Sequence, residues 1–100
     1  MTQLICFSRD MGLDRRDFFR ILPTAIGECS FSTEGNRVVI GPIAESGSLT
    51  VTLGAEQTRR LSALMVLPRM QVDFAFSGVS QSQVDAFMET FDIYYRRGGG

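Results

Sequence analysis

Among the eleven acidic residues of this chain, Asp73, Asp85, Glu89 and Asp92 are the candidates for acid–base chemistry. Such work needs a carboxyl group whose surroundings have shifted its proton affinity. Asp85, Glu89 and Asp92 fall on the flank of a helical pattern, away from its apolar stripe, where solvent is the default surrounding. Asp73 stands on the polar side of an alternating β pattern, and no residue is paired with it by spacing. Histidine and lysine are absent, so there is no imidazole to shuttle protons near neutral pH and no amine to form a Schiff base. The two cysteines, Cys6 and Cys29, form no CxxC pair and lie in the apolar runs LICF and ECSF, where a free thiol usually packs as a small buried hydrophobe. Two cysteines with scattered carboxylates do not make the four-ligand set of a structural zinc site. The expectation is a protein without catalytic residues, metal or cofactor.

Three Arg-Arg pairs, at 15–16, 59–60 and 96–97, could grip phosphates. Each sits at an element boundary or among carboxylates such as Asp14, Asp17 and Asp92. The net charge is −1, and the outward residues of the central strands (Thr50, Thr52, Gln71, Asp73, Ala75) include no ring on which a base could stack. Nucleic acid is therefore not the expected partner.

The last residues, YYRRGGG, resemble the ends of ubiquitin-like modifiers and small sulfur carriers. That resemblance implies activation at a terminal Gly99–Gly100 carboxylate on a tail that extends freely from the final strand of a β-grasp domain. The element before the glycines, however, has a helical stripe reaching Tyr95, and about two residues separate it from Gly98. That is a short reach for an enzyme cleft at roughly 3.3–3.6 Å per residue. The pattern places residues 1–97 in one globular domain, with Gly98 ending the helix and residues 98–100 a frayed tail. Near the other end, LDRRDFFRILPTAIG resembles a twin-arginine export signal, but its apolar stretch contains Pro23, runs into Glu28 and lacks a small-residue cleavage site. No segment approaches the roughly 20 apolar residues of a spanning helix. A soluble, cytoplasmic protein without a membrane partner is expected.

The elements that must position these residues read as an α+β domain. Asp14 is an N-cap for a helix with Phe18, Ile21, Leu22, Ala25 and Ile26 on one face and Arg16 and Arg20 on the other. Pro23 predicts a kink or early end, and Gly27 the stop. ECSFS and RVVI flank a TEGN hairpin turn, and GPIAESGS is a loop. SLTVTL alternates, with Leu49, Val51 and Leu53 inward, and GAEQT turns the chain. RRLSALMVL and RMQVDFAFS follow, broken by Pro68, and in the second Met70, Val72, Phe74 and Phe76 point inward. Ser80 and Gln83 form a capping box for a last helix whose stripe is Val84, Phe87, Met88, Phe91, Tyr94 and Tyr95. TQLICFS is a candidate first strand. The order is (β)-α-β-β-β-β-α, a two-layer sandwich of an antiparallel sheet of four to five strands with both helices on one face.

Some apolar residues fall out of phase with these faces. Leu64 and Val66 oppose the phase of Leu61, Ala63, Met65 and Leu67. Val39 opposes Val38 and Ile40. With Ala75, these predict an apolar patch on the open sheet face, suited to self-association or to a protein partner. Ile93 likewise opposes the last helix's stripe and is a further candidate for the interface. Phe74, Phe76, Phe87, Met88 and Phe91 could alternatively line a cavity for a small apolar ligand.

Overall fold

The computed structural model describes residues 4–99. Its elements are β1 (Leu4–Met11), α1 (Arg15–Ile26), β2 (Ser30–Glu34), β3 (Arg37–Ile43), β4 (Gly47–Arg60), β5 (Val66–Ser77) and α2 (Gln81–Gly99). The strands form one sheet in the order β1-β5-β4-β3-β2, antiparallel throughout. The first strand is real and runs on to Met11; residues 2 and 3 lie outside the described residues.

Alternation decides what the sheet buries. Val38, Ile40, Leu49, Val51, Leu53, Met70, Val72, Phe74 and Phe76 point to one side and are buried there. Phe18, Ile21, Leu22, Ala25 and Ile26 of α1 and Val84, Met88, Phe91 and Tyr95 of α2 cover them. Aromatic rings knit the layers together. Phe74 meets Phe91 edge-on at 5.5 Å, Phe91 stacks on Tyr95 at 4.3 Å, and Tyr95 lies 5.4 Å from Phe18. Phe76 meets Phe87 at 5.5 Å. Ring contacts thus fill the space proposed for an apolar ligand.

The helix ends follow their capping chemistry. The Asp17 N–H donates to Asp14 Oδ1 at 2.8 Å. In α2 the box is reciprocal, with the Ser80 N–H donating to Gln83 Oε1 at 2.8 Å and the Gln83 N–H to Ser80 Oγ at 3.2 Å. Helix α1 does not end early at Pro23 but continues to Ile26, because burial of Ala25 and Ile26 outweighs the lost backbone bond. Helix α2 runs one residue past the stop expected at Gly98.

Three features depart from the expected pattern. Tyr94 is 38% exposed, whereas Tyr95 is buried; adjacent helical positions are about 100° apart, and only one can face the sheet. Cys6 is exposed because Ile5 and Phe7 on either side take the covered face, and Cys29 is only partly buried. The third departure is the largest: GAEQT is not a turn. Strand β4 passes through it with a bulge between Leu53 and Glu56. At Gly54 an added Cβ would lie 2.9 Å from the Gln71 carbonyl oxygen, so only glycine fits the close approach. The chain reverses at residues 61–65 instead, and GPIAESGS shrinks to a three-residue turn between β3 and β4.

Candidate functional site

The bulge makes β4 and β5 longer than the body they belong to. Strand β3 pairs with β4 only as far as Thr52, and β1 pairs with β5 only as far as Met70. Beyond those points β4 and β5 pair with each other alone, through Gln57↔Arg69, Thr58↔Pro68, Arg59↔Leu67 and Arg60↔Val66. The result is a two-stranded arm. It closes where the Leu61 N–H donates to the Met65 carbonyl at 2.9 Å and the Met65 N–H to the Ser62 carbonyl at 3.3 Å. The molecule measures 51 × 23 × 22 Å, with a radius of gyration of 14.1 Å against about 13 Å for a compact chain of this length. Its surface, 6524 Å², exceeds the roughly 5,700 Å² expected of a monomer of this mass.

The arm is apolar where a free ribbon should be polar. Leu61, Leu64, Met65, Val66 and Leu67 are all exposed, Leu64 by 99%. Pleating continues the body's two faces. Pro68 and Val66 share the side of Met70, with Thr58 and Arg60 opposite them, whereas Leu67 and Arg69 share the side of Gln71, with Arg59 and Gln57. Residues 57–69 contain three arginines and no carboxylate, leaving seven basic against eleven acidic side chains in the rest of the chain. Arg69 reaches back to Asp10 on β1, Nε to Oδ2 at 2.6 Å. At the base of the arm the bulge turns Glu56 toward the helices, where its Oε1 accepts the Arg15 N–H at 2.8 Å and so caps α1. Arg15 also donates to the Gly35 carbonyl at 2.7 Å and to Asn36 Oδ1 at 2.9 Å, pinning the β2–β3 turn.

The four residues expected to form one patch on the open sheet face, Val39, Leu64, Val66 and Ala75, are dispersed. Val39 and Ala75 do lie on the open sheet face, in a row joined by Ser32↔Val39, Val39↔Thr50, Thr50↔Ala75 and Cys6↔Ala75. Leu64 is in the tip. Val66 points to the opposite face from Ala75, nine residues away and therefore out of phase with it. Ile93, expected opposite the buried stripe of the last helix, is on the solvent side of α2. The arm itself cannot be found by phase, because a turn assigned to GAEQT breaks the strand that carries it.

The neighbouring row of the open face holds the polar residues. Asp73 accepts from Ser8 Oγ at 2.6 Å and from Gln71 Nε2 at 3.1 Å. The Ser8 hydrogen bond, and after it the Gln71 one, hold its carboxyl below the usual carboxylate range, which makes it a poor proton acceptor at neutral pH. Of the other carboxylates, Asp92 pairs with Arg9, whose guanidinium lies over the Phe7 ring, and Asp85 accepts from Gln81 Nε2. Cys6 lies on β1 and Cys29 immediately precedes β2, the strands at the two edges of the sheet, too far apart to bridge. Among the described residues no group of three or more Cys, Asp or Glu side chains could hold a metal ion, and no helix is long and apolar enough to cross a membrane. Gly99 belongs to α2 by its backbone; Gly100 lies outside the described residues.

No family model and no curated protein matches the chain. Among solved structures, the Zhui aromatase/cyclase from Streptomyces sp. R1128 aligns over 98% of this chain and 87% of its own at 10% identity, with a TM-score of 0.28. At that score the likeness carries no argument.

Proposed function

We propose that this is a non-enzymatic, cytoplasmic domain that works by binding protein, and that the arm of residues 57–69 is its contact surface. The observation that carries this reading is the exposure of Leu61, Leu64, Met65, Val66 and Leu67 together on a ribbon with no third strand. A two-stranded hairpin is marginal in water by itself, and clustered exposed apolar side chains mark interfaces. The open sheet face offers less, since Val39 and Ala75 are separated by Thr50 and bordered by serines. It also lacks rings for stacking bases, which weighs against nucleic acid. Two cysteines held apart near opposite sheet edges suit a reducing compartment. The alternative, a carrier activated at its terminal glycines, is disfavoured because the last element is a helix packed through Phe91 and Tyr95, not an extended strand.

A photo-crosslinking residue placed at position 64 in the producing cell tests the reading. Adducts to a polypeptide, its own chain included, are expected from position 64 and not from Thr33 on the exposed edge strand. Absence of any protein adduct from the arm defeats it.

A further inference from the structure

The arm's helix-side face continues the sheet face that α1 and α2 cover in the body, yet no helix lies over Thr58, Arg60 and Val66, which are exposed. What is missing there is a helix with an outward apolar side chain and negative charge to meet Arg60. The molecule exposes two outer helix faces. That of α1 carries Arg16 and, paired with Asp17 at 3.3 Å, Arg20, so arginine predominates on the face the arm would meet. That of α2 carries Asp85, Glu89 and Ile93 at successive four-residue steps, all exposed, with Arg96 beyond them at the helix end. Ile93, 42% exposed, has no role in its own chain's core.

Resting on the reading that the arm binds protein, we propose that its occupant is a second copy of this chain. The arm of each copy lies on the Asp85–Glu89–Ile93 stripe of the other's α2, in a reciprocal exchange. Tip leucines and Val66 meet Ile93, and Arg60 meets Asp85 and Glu89. Pairing of arm with arm is opposed, since each copy brings Arg59 and Arg60 with no carboxylate in residues 57–69, Arg69 being paired with Asp10. A reciprocal exchange closes on itself about a twofold axis, so it yields a dimer and not an open chain.

Sedimentation velocity on the full chain and on three variants tests the proposal. Wild type should be dimeric, and Leu64→Asp, which alters a fully exposed side chain and leaves the fold intact, monomeric. Arg60→Glu and Glu89→Arg should each weaken the dimer by roughly tenfold or more, because each opposes like charges at both contacts. Mixed in equal amounts, these two variants should dimerise again. One contact then sets the introduced glutamate against the introduced arginine, and the other retains the wild-type pair. A wild-type monomer, a dimer indifferent to both charge reversals, or a mixture that stays monomeric overturns the proposal. If the monomer is crosslinked from position 64 to a different polypeptide, the second-copy assignment falls and the protein-binding reading stands. If it instead floats with phosphatidylglycerol vesicles and gives no protein adduct, both fall.

Discussion

Asp73 illustrates how a single residue's surroundings decide its chemistry. Its two hydrogen bonds favour the charged form, so its folded proton affinity is lower than its unfolded one. The stabilisation this implies is present above the unfolded value of about 3.9 and is lost as pH falls through the folded value. An NMR titration of the Asp73 carboxyl carbon should therefore give a midpoint below about 3.9, moving toward it in Ser8→Ala. A midpoint at or above the unfolded value would break the account. Sequence places Asp73 on the polar face but gives it no partner, because Ser8 lies 65 residues away and becomes its neighbour only through the pairing of β1 with β5. Cys6 departs from its expected burial for a related reason: an apolar run such as LICF does not say which of its alternating positions faces out.

At the scale of elements, the hold of α2 on α1 rests on Tyr95. Its hydroxyl donates to the Phe18 carbonyl at 2.7 Å in a buried setting, and burial pushes the phenol well above its usual range. Tyr95→Phe should cost about 1 kcal/mol, read as a shift in urea midpoint at unchanged slope. The buried phenol also makes stability pH-dependent on the alkaline side. Its contribution is full below about 10, where the unfolded phenol is still neutral, and declines as pH rises toward the folded value. The phenylalanine variant should lose that decline. Both helices, their caps and the inward residues of β4 and β5 are legible in sequence, since each rests on local periodicity or on a side chain reaching three residues. The continuation of β4 is not. Gly54 has the character of a turn residue, and only the nearness of Gln71 on the next strand shows it to be the glycine of a bulge.

For the whole molecule the question is whether arm and body are separable. The buried core lies entirely outside residues 57–69, and Glu56, which caps α1, precedes them. Replacing residues 57–69 by an Asn-Gly turn between Glu56 and Met70 should leave the circular dichroism of an α+β protein and a melting temperature within about 4–8 °C of wild type, equivalent to roughly 1 kcal/mol. Collapse of the fold would mean that the arm is structural. The layered architecture follows from sequence because burial periodicity encodes it. Val39, Leu64, Val66 and Ala75 do not assemble into one sheet-face patch as expected, because phase alone cannot tell an open face from a projecting tip.

The position of β1 has a consequence for how the protein is made. Met11 is matched with Met70 and Leu4 with Ser77, so β1 finds its neighbour only when β5, made after four intervening elements, appears. At 5–20 residues per second, roughly 3–12 s separate the two on the ribosome. During that interval Ile5 and Phe7 have no sheet to join, and their strand has two open edges. Pauses in translation upstream of β5 would lengthen the exposure and favour capture by chaperones or by other nascent chains.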